Sequence, residues 1–200
     1  RVKVPMVTIV TQHPKVLALA MLSGMGQFVL FYLITVFTLS WATTSLGYTR
    51  ADFLVLQLIS VVFFAGFIPI AARFSDRHGP SAAIALGSLG IVVFGLLLGA
   101  MLQAGALSTV IALSIGMALM GICFGPLGTL MSSLFPPSVR YTGASLGFNL
   151  AGILGASFAP AIATWLATQY GLAFVGYYLS AAALISLLAT LRIRRLLAGT

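Results

Sequence analysis

Hydrophobic positions in this chain gather into six long runs: Val16 to Leu39, Asp52 to Ala72, Ser81 to Leu102, Leu107 to Met131, Tyr141 to Thr168 and Leu172 to Leu191. Each reaches or exceeds the ~20 residues that an α-helix needs to cross a bilayer. The punctuation between them is short: TSLGYTRAD, RFSDRHGPS, QAGAL, FPPSVR and QYGL. Connections of this length force neighbouring helices antiparallel. The pattern predicts an all-α, polytopic membrane protein with a cytoplasmic linker or short amphipathic lead-in over 1–15. A six-helix bundle follows over 16–191, and a basic cytoplasmic tail over 192–200. The basic, proline-bearing start at Arg1 leaves no room for a span before Val16 and reads as the continuation of material upstream.

Within the fifth run, Gly143, Gly147, Ala151, Gly155 and Ala159 recur every four residues and form one slanting stripe with almost no side chain. In lipid such small-xxx-small faces are where helices pack. The same helix carries Asn149, whose carboxamide must find partners or face a water-filled cavity. Pro160 predicts a break towards the outer end of this helix. Arg140 stands at its cytoplasmic start, where the helix dipole disfavours a cation and an acid or lipid phosphate is expected to compensate.

Other polar groups inside the runs are few. Gln27 and Tyr32 lie near the middle of the first span, about 140° apart around an ideal helix. Both can line one cavity only if the helix tilts or breaks, which Gly24 and Gly26 would allow. Gln57 is the corresponding group of the second span, and Ser88 of the third. Pro126, in the run GICFGPLG, is expected to kink the fourth span. Between the second and third spans Arg73, Asp76 and Arg77 make a compact charged cluster, with Gly79 and Pro80 ending one helix and starting the next.

With 60% hydrophobic and 6% charged residues, the composition lies far from soluble proteins, where about a quarter of residues are charged. The net charge of +8 is topological. In a six-span path every Lys and Arg except Arg50 falls on one side, which the positive-inside rule makes cytoplasmic, with both termini there. No basic module interleaved with aromatics is present, so nucleic acid is not a partner. The lipid bilayer is. The single Cys123 excludes an internal disulfide and a cysteine-rich metal site. His13 and His78 sit at the inner surface with no nucleophile and acid around them, so no catalytic residues, metal or cofactor are expected and the protein is not read as an enzyme. No Asp, Glu, Lys, Arg or His lies well inside a span, so the chain supplies no intramembrane proton relay of its own.

Three stretches resemble one family. RFSDRHGP, Arg73 to Pro80, is similar to the Asp-Arg-x-Gly loop in the C-terminal half of the major facilitator superfamily. Phe124 to Leu166 resembles the tenth and eleventh helices of its metabolite:proton symporters, and FYLITVFTLSW, Phe31 to Trp41, their seventh. The resemblance implies helices seven to twelve of a secondary transporter: two inverted three-helix repeats, with a missing N-terminal six-helix half as partner. It further implies a small polar substrate, such as an organic acid, a shikimate-like compound or a betaine, moved with protons by alternating access across a bacterial inner membrane. The first, second, fourth and fifth spans then face the cavity, which makes Gln27, Tyr32, Gln57 and Asn149 the candidate substrate-facing groups. Arg73, Asp76, Arg77, Gly79 and Arg140 become a cytoplasmic gate. Family members often carry acidic and basic residues just upstream of FYL, where this chain reads GMGQFVL. A non-transporting fragment, or a six-helix protein that works only as an assembly partner, is the alternative reading.

Overall fold

The computed structural model describes residues 5–198, so Arg1, Lys3 and the end of the basic tail lie outside the described residues. Its elements are α1 (Pro5–Gln12), α2 (Pro14–Tyr32), a π-helical segment (Leu33–Phe37), α3 (Thr38–Ser45), α4 (Arg50–His78), α5 (Pro80–Gln103), α6 (Ala106–Ser133), α7 (Arg140–Ala156), α8 (Ala159–Tyr170) and α9 (Leu172–Ala198). No strand occurs among them.

Six membrane-capable spans result: Pro14–Ser45, Arg50–His78, Pro80–Gln103, Ala106–Ser133, Arg140–Tyr170 and Leu172–Leu197. The stretch expected as a linker contains the helix α1, whose Ile9 is fully buried in a core cluster with Leu17, Ala20 and Ile193, while Met6, Val7 and Val10 stay exposed. Pro14 opens α2 in its first turn, where a missing N–H costs nothing.

The packing repeats. Span 2 lies along span 4 as span 5 lies along span 1, span 3 packs on span 4 as span 6 packs on span 1, and spans 3 and 6 meet each other. Exchanging the first three spans for the last three maps this set of contacts onto itself. Because each triplet crosses an odd number of times, the two copies are inverted in the membrane.

Close backbone approach holds the two triplets together. A Cβ on Gly95 would stand 2.7 Å from the carbonyl oxygen of Gly176, and one on Gly99 2.7 Å from the backbone of Ala173. Ser180 Oγ donates to the Val92 carbonyl at 2.8 Å. Ser186 Oγ accepts from the Gly26 amide at 2.8 Å and donates to the Leu22 carbonyl at 2.7 Å. Serine and glycine thus do in this bundle what side-chain interlock does in water-soluble cores.

One expectation about irregular helix is corrected. Gly24 and Gly26 do not break the first span, since α2 runs unbroken through both and each is packed against a neighbour, Gly24 on Ala151 and Gly26 on Ala183. The irregular turn lies further out, at Leu33–Phe37. α6 continues as helix through Pro126, with Gly121 and Gly125 pressed against the backbone of α4 at Phe64 and Ile68. The fifth span does break, between α7 and α8, at Ser157 and Phe158 just ahead of Pro160.

Spans 3 and 6 pack together, and spans 1, 2, 4 and 5 share the other face. A line of phenylalanines marks it. Phe64 of span 2 meets Phe124 of span 4 at 5.7 Å between ring centroids, Phe124 meets Phe148 of span 5 at 6.1 Å, and Phe148 meets Phe28 of span 1 at 5.1 Å.

Candidate functional site

The four substrate-facing candidates separate into two pairs. Tyr32 and Asn149 line one cavity of about 320 Å³ between α2 and α7, together with Phe28, Phe148, Gly152, Ile153, Ala156 and Ser157. Asn149 Nδ2 donates to the Ser145 carbonyl at 2.8 Å and approaches Ser145 Oγ at 3.4 Å. Its amide hydrogens are thereby engaged on its own helix, and Oδ1 is left as an acceptor. Asn149 also borders a second cavity of about 330 Å³ lined by Met6, Tyr141, Thr142, Ser145 and Leu146.

Gln27 and Gln57 are placed elsewhere: both are buried and neither lines this cavity. Gln27 is fully buried inside the bundle. Its carboxamide neighbours the Cys123 thiol, as does Ser88, yet neither Gln27 amide atom nor Ser88 Oγ has a geometrically sound hydrogen-bond partner. Gln57 is buried too, but satisfied: its Nε2 donates to the Ile34 carbonyl at 2.9 Å and to the Thr35 carbonyl at 2.8 Å. Both carbonyls belong to the π-helical segment, whose shifted bonding leaves acceptors exposed inside the protein.

All five small residues of the fifth-span stripe are buried, and Ala163 and Ala167 extend it across the break into α8. A Cβ on Gly155 would stand 2.5 Å from the Met25 carbonyl oxygen and 2.7 Å from Phe28 Cβ, and one on Gly147 3.0 Å from Ala20 Cβ. The stripe thus sets the spacing of spans 1 and 5, and with it the width of the Tyr32 and Asn149 cavity.

At the opposite end of the bundle from Arg50, Arg73, Asp76 and Arg77 are exposed, and no ion pair joins them among the described residues. Gly79 turns the chain at φ 86°, a left-handed value suited to glycine, and closes α4 by donating its N–H to the Ser75 carbonyl. Arg140 is exposed, and its Nε lies 3.4 Å from the Phe135 carbonyl. The expected acid is not beside it. A carbonyl takes its place, and Phe135 itself caps Gly143 with its ring. What sequence reasoning missed is the aromatic line of Phe64, Phe124, Phe148 and Phe28, since phenylalanine is ubiquitous in membrane spans and no spacing singles these four out.

The inner membrane metabolite transport protein YhjE of Escherichia coli K12 is 39% identical over 197 residues, covering 96% of this chain and 45% of that protein. A putative metabolite transport protein of Haemophilus influenzae is 36% identical, covering 92% of this chain and 44% of its own. Its homologues are metabolite transporters of the major facilitator type. The shikimate transporter of Escherichia coli K12, 26% identical across 94% of this chain and 44% of its own length, is among these transporters. The chain therefore spans less than half the length of each. No family model matches it, and no solved structure matches it. These relatives are transporters rather than enzymes.

Proposed function

We propose that this chain is the C-terminal six-helix half of a secondary transporter that moves a small polar metabolite across the bacterial cytoplasmic membrane by alternating access, together with protons. The observation that carries this reading is one of coverage: nearly the whole chain aligns to about 45% of a metabolite transport protein. The inverted three-span repeats support it. Substrate then binds between this chain and an N-terminal half, with Tyr32 and Asn149 contributing from this side. The basic residues at one end of the spans support the reading that both termini are cytoplasmic. Because the two acids of the chain, Asp52 and Asp76, are exposed near the two ends of span 2, proton coupling falls to the partner half.

The test is reconstitution into liposomes with and without the six-span partner. The paired protein is expected to accumulate substrate from a panel of organic acids, shikimate and betaines under an imposed pH gradient, and the chain alone to accumulate none. Gradient-driven uptake by the isolated chain defeats the half-transporter reading.

A further inference from the structure

We propose that the cavity formed by α1 and the first turns of α7 is a second solute site, met on the way to the cytoplasm, which takes the oxygen-bearing end of the metabolite as it leaves the Tyr32 cavity; the proposal rests on the transporter reading above. Asn149 lines both cavities. The rest of the inner one comes from Met6 of α1 and from Tyr141, Thr142, Ser145 and Leu146, while the other draws on residues 148–157 and on α2. Thr142, Ser145 and Asn149 stand three and four residues apart. They therefore form one row, about 10 Å long, on the side of α7 turned away from the buried stripe of Gly143, Gly147 and Ala151. Ser145 and Asn149 are exposed and Thr142 is half-buried. A solute moving along α7 thus meets the two cavities in turn.

The two cavities differ in what they offer. Around Tyr32 the walls include the rings of Phe28 and Phe148, which satisfy few hydrogen bonds. Three hydroxyls and an amide line the inner cavity. In the same two spans, Thr35, Thr164 and Thr168 each donate to the carbonyl four residues back. Thr142 Oγ1 and Tyr141 Oη are not engaged in this way among the described residues, and Ser145 Oγ only accepts, from Asn149 Nδ2 at 3.4 Å. Three O–H donors are therefore left for a solute, with Asn149 Oδ1 as an acceptor beside them. A carboxylate or hydroxyl oxygen accepts from such donors. No charged side chain lines the cavity among the described residues, so the solute is held weakly. An exit site needs this balance: its hydrogen bonds offset part of the cost of leaving the first cavity without trapping what leaves. Lipid does not explain the row, because an amide such as that of Asn149 is costly against acyl tails. Packing of the bundle does not explain it either, since α7 packs through the opposite, small-residue side.

The experiment uses the carrier with both halves, in right-side-out and everted membrane vesicles, and follows exchange of labelled shikimate, citrate and trimethylammonioacetate without a pH gradient. Half-saturating concentrations are read from each side. Thr142→Val keeps the shape of the side chain and removes its hydroxyl. Tyr141→Phe does the same at a residue 89% exposed, where folding is not at stake. Each is expected to raise the half-saturating concentration in everted vesicles by about two- to tenfold relative to right-side-out vesicles. Thr142→Ser, which keeps the donor, should restore the ratio, and Leu97→Ala, on an exposed face of α5, should shift neither side. An unchanged ratio in both variants overturns the proposal. It does so also where Thr142→Val lowers the melting temperature, since the row is then a seam against the partner half. Equal shifts from the two sides overturn it as well and make the inner cavity part of the Tyr32 site. Each of these results is read from working exchange and leaves the transporter reading intact. Absence of exchange for all three probes removes both.

Discussion

Gln57 holds the first span in its irregular shape by donating to the carbonyl of Ile34, 23 residues earlier in the chain, and of the adjoining Thr35. The Ile34 carbonyl also accepts from Thr38 Oγ1 on the same span. A turn of π-helix leaves carbonyls without their usual donors, and inside a membrane protein they must be met by a side chain. Gln57→Leu keeps the size of the side chain and removes both bonds. Thermal unfolding in detergent is expected to show a loss of about 1–2 kcal/mol. An unchanged melting temperature contradicts the role given to Gln57.

Gln27 should respond in the opposite sense. Its amide is fully buried without a sound partner for either polar atom, so it is desolvated with little in return. Gln27→Leu is expected to leave stability unchanged or raise it by about 1 kcal/mol. The same unfolding measurement checks it, and destabilisation comparable to that of Gln57→Leu shows that the Cys123 and Ser88 neighbourhood binds the amide well.

The width of the candidate cavity depends on Gly155. A methyl group there meets the Met25 backbone carbonyl and Phe28 Cβ, whereas one on Gly66 of span 2 meets nothing within 4 Å. Gly155→Ala should cost about 1–3 kcal/mol by overpacking, and Gly66→Ala should cost nothing measurable. Gly147→Leu, aimed at Ala20, should lower folded yield, while Leu97→Ala on an exposed face of α5 should not. Similar yields and melting curves for all four variants refute the packing role of the stripe.

The sole cysteine offers a direct check on the packing between spans 3 and 4. Cys123 is fully buried against Gly87 and Ile122 lies beside it. A maleimide should leave the folded chain unmodified over hours and label it fully once the chain is unfolded in sodium dodecyl sulfate. Rapid labelling of the folded chain contradicts this burial.

Span number and order were legible because each run needs only length and apolarity, and the break ahead of Pro160 was legible because a missing N–H is a local fact. Irregularity in the first span was not. LITVF contains no glycine or proline, and its carbonyls are met by Gln57 from another span as well as by Thr38 of its own, the first of which is a tertiary contact. For the same reason Gln27 and Gln57 look alike in sequence: each is one amide in an apolar run, and only their neighbours distinguish a clamp from an unpaired group. α1 was hidden by its β-branched Val7, Thr8, Ile9 and Val10, poor helix formers whose helix is anchored by burying Ile9. Tyr32 and Asn149, which do share a cavity, were legible as polar residues in spans but not as partners, because the pairing of span 1 with span 5 is a tertiary contact.

On the transporter reading proposed above, Arg140 and Asp76 are the candidates for an inner gate. Arg140 stands at the first turn of α7, where the dipole opposes it by about 0.3–1 kcal/mol, and its Nε is met by the Phe135 carbonyl alone. Asp76, one of only two acids in the chain, is exposed at the same end of the bundle and has no ion pair among the described residues. Both charges are therefore free to engage a partner half when the carrier closes its inner side. Such contacts break on every turnover, so they belong with exposed pairs of about 0.2–1 kcal/mol rather than with buried ones. In the two-half carrier, Asp76→Asn and Arg140→Gln should each shift the population towards the inward-open form. Ser145→Cys places a reporter five residues above Arg140 on an exposed, cavity-lining position, and the burial of Cys123 keeps the background low. Labelling from the cytoplasmic side is expected to quicken by about two- to fivefold in either variant. If the rate is unchanged and membrane insertion suffers instead, the two charges serve as topological anchors and the gate is located elsewhere.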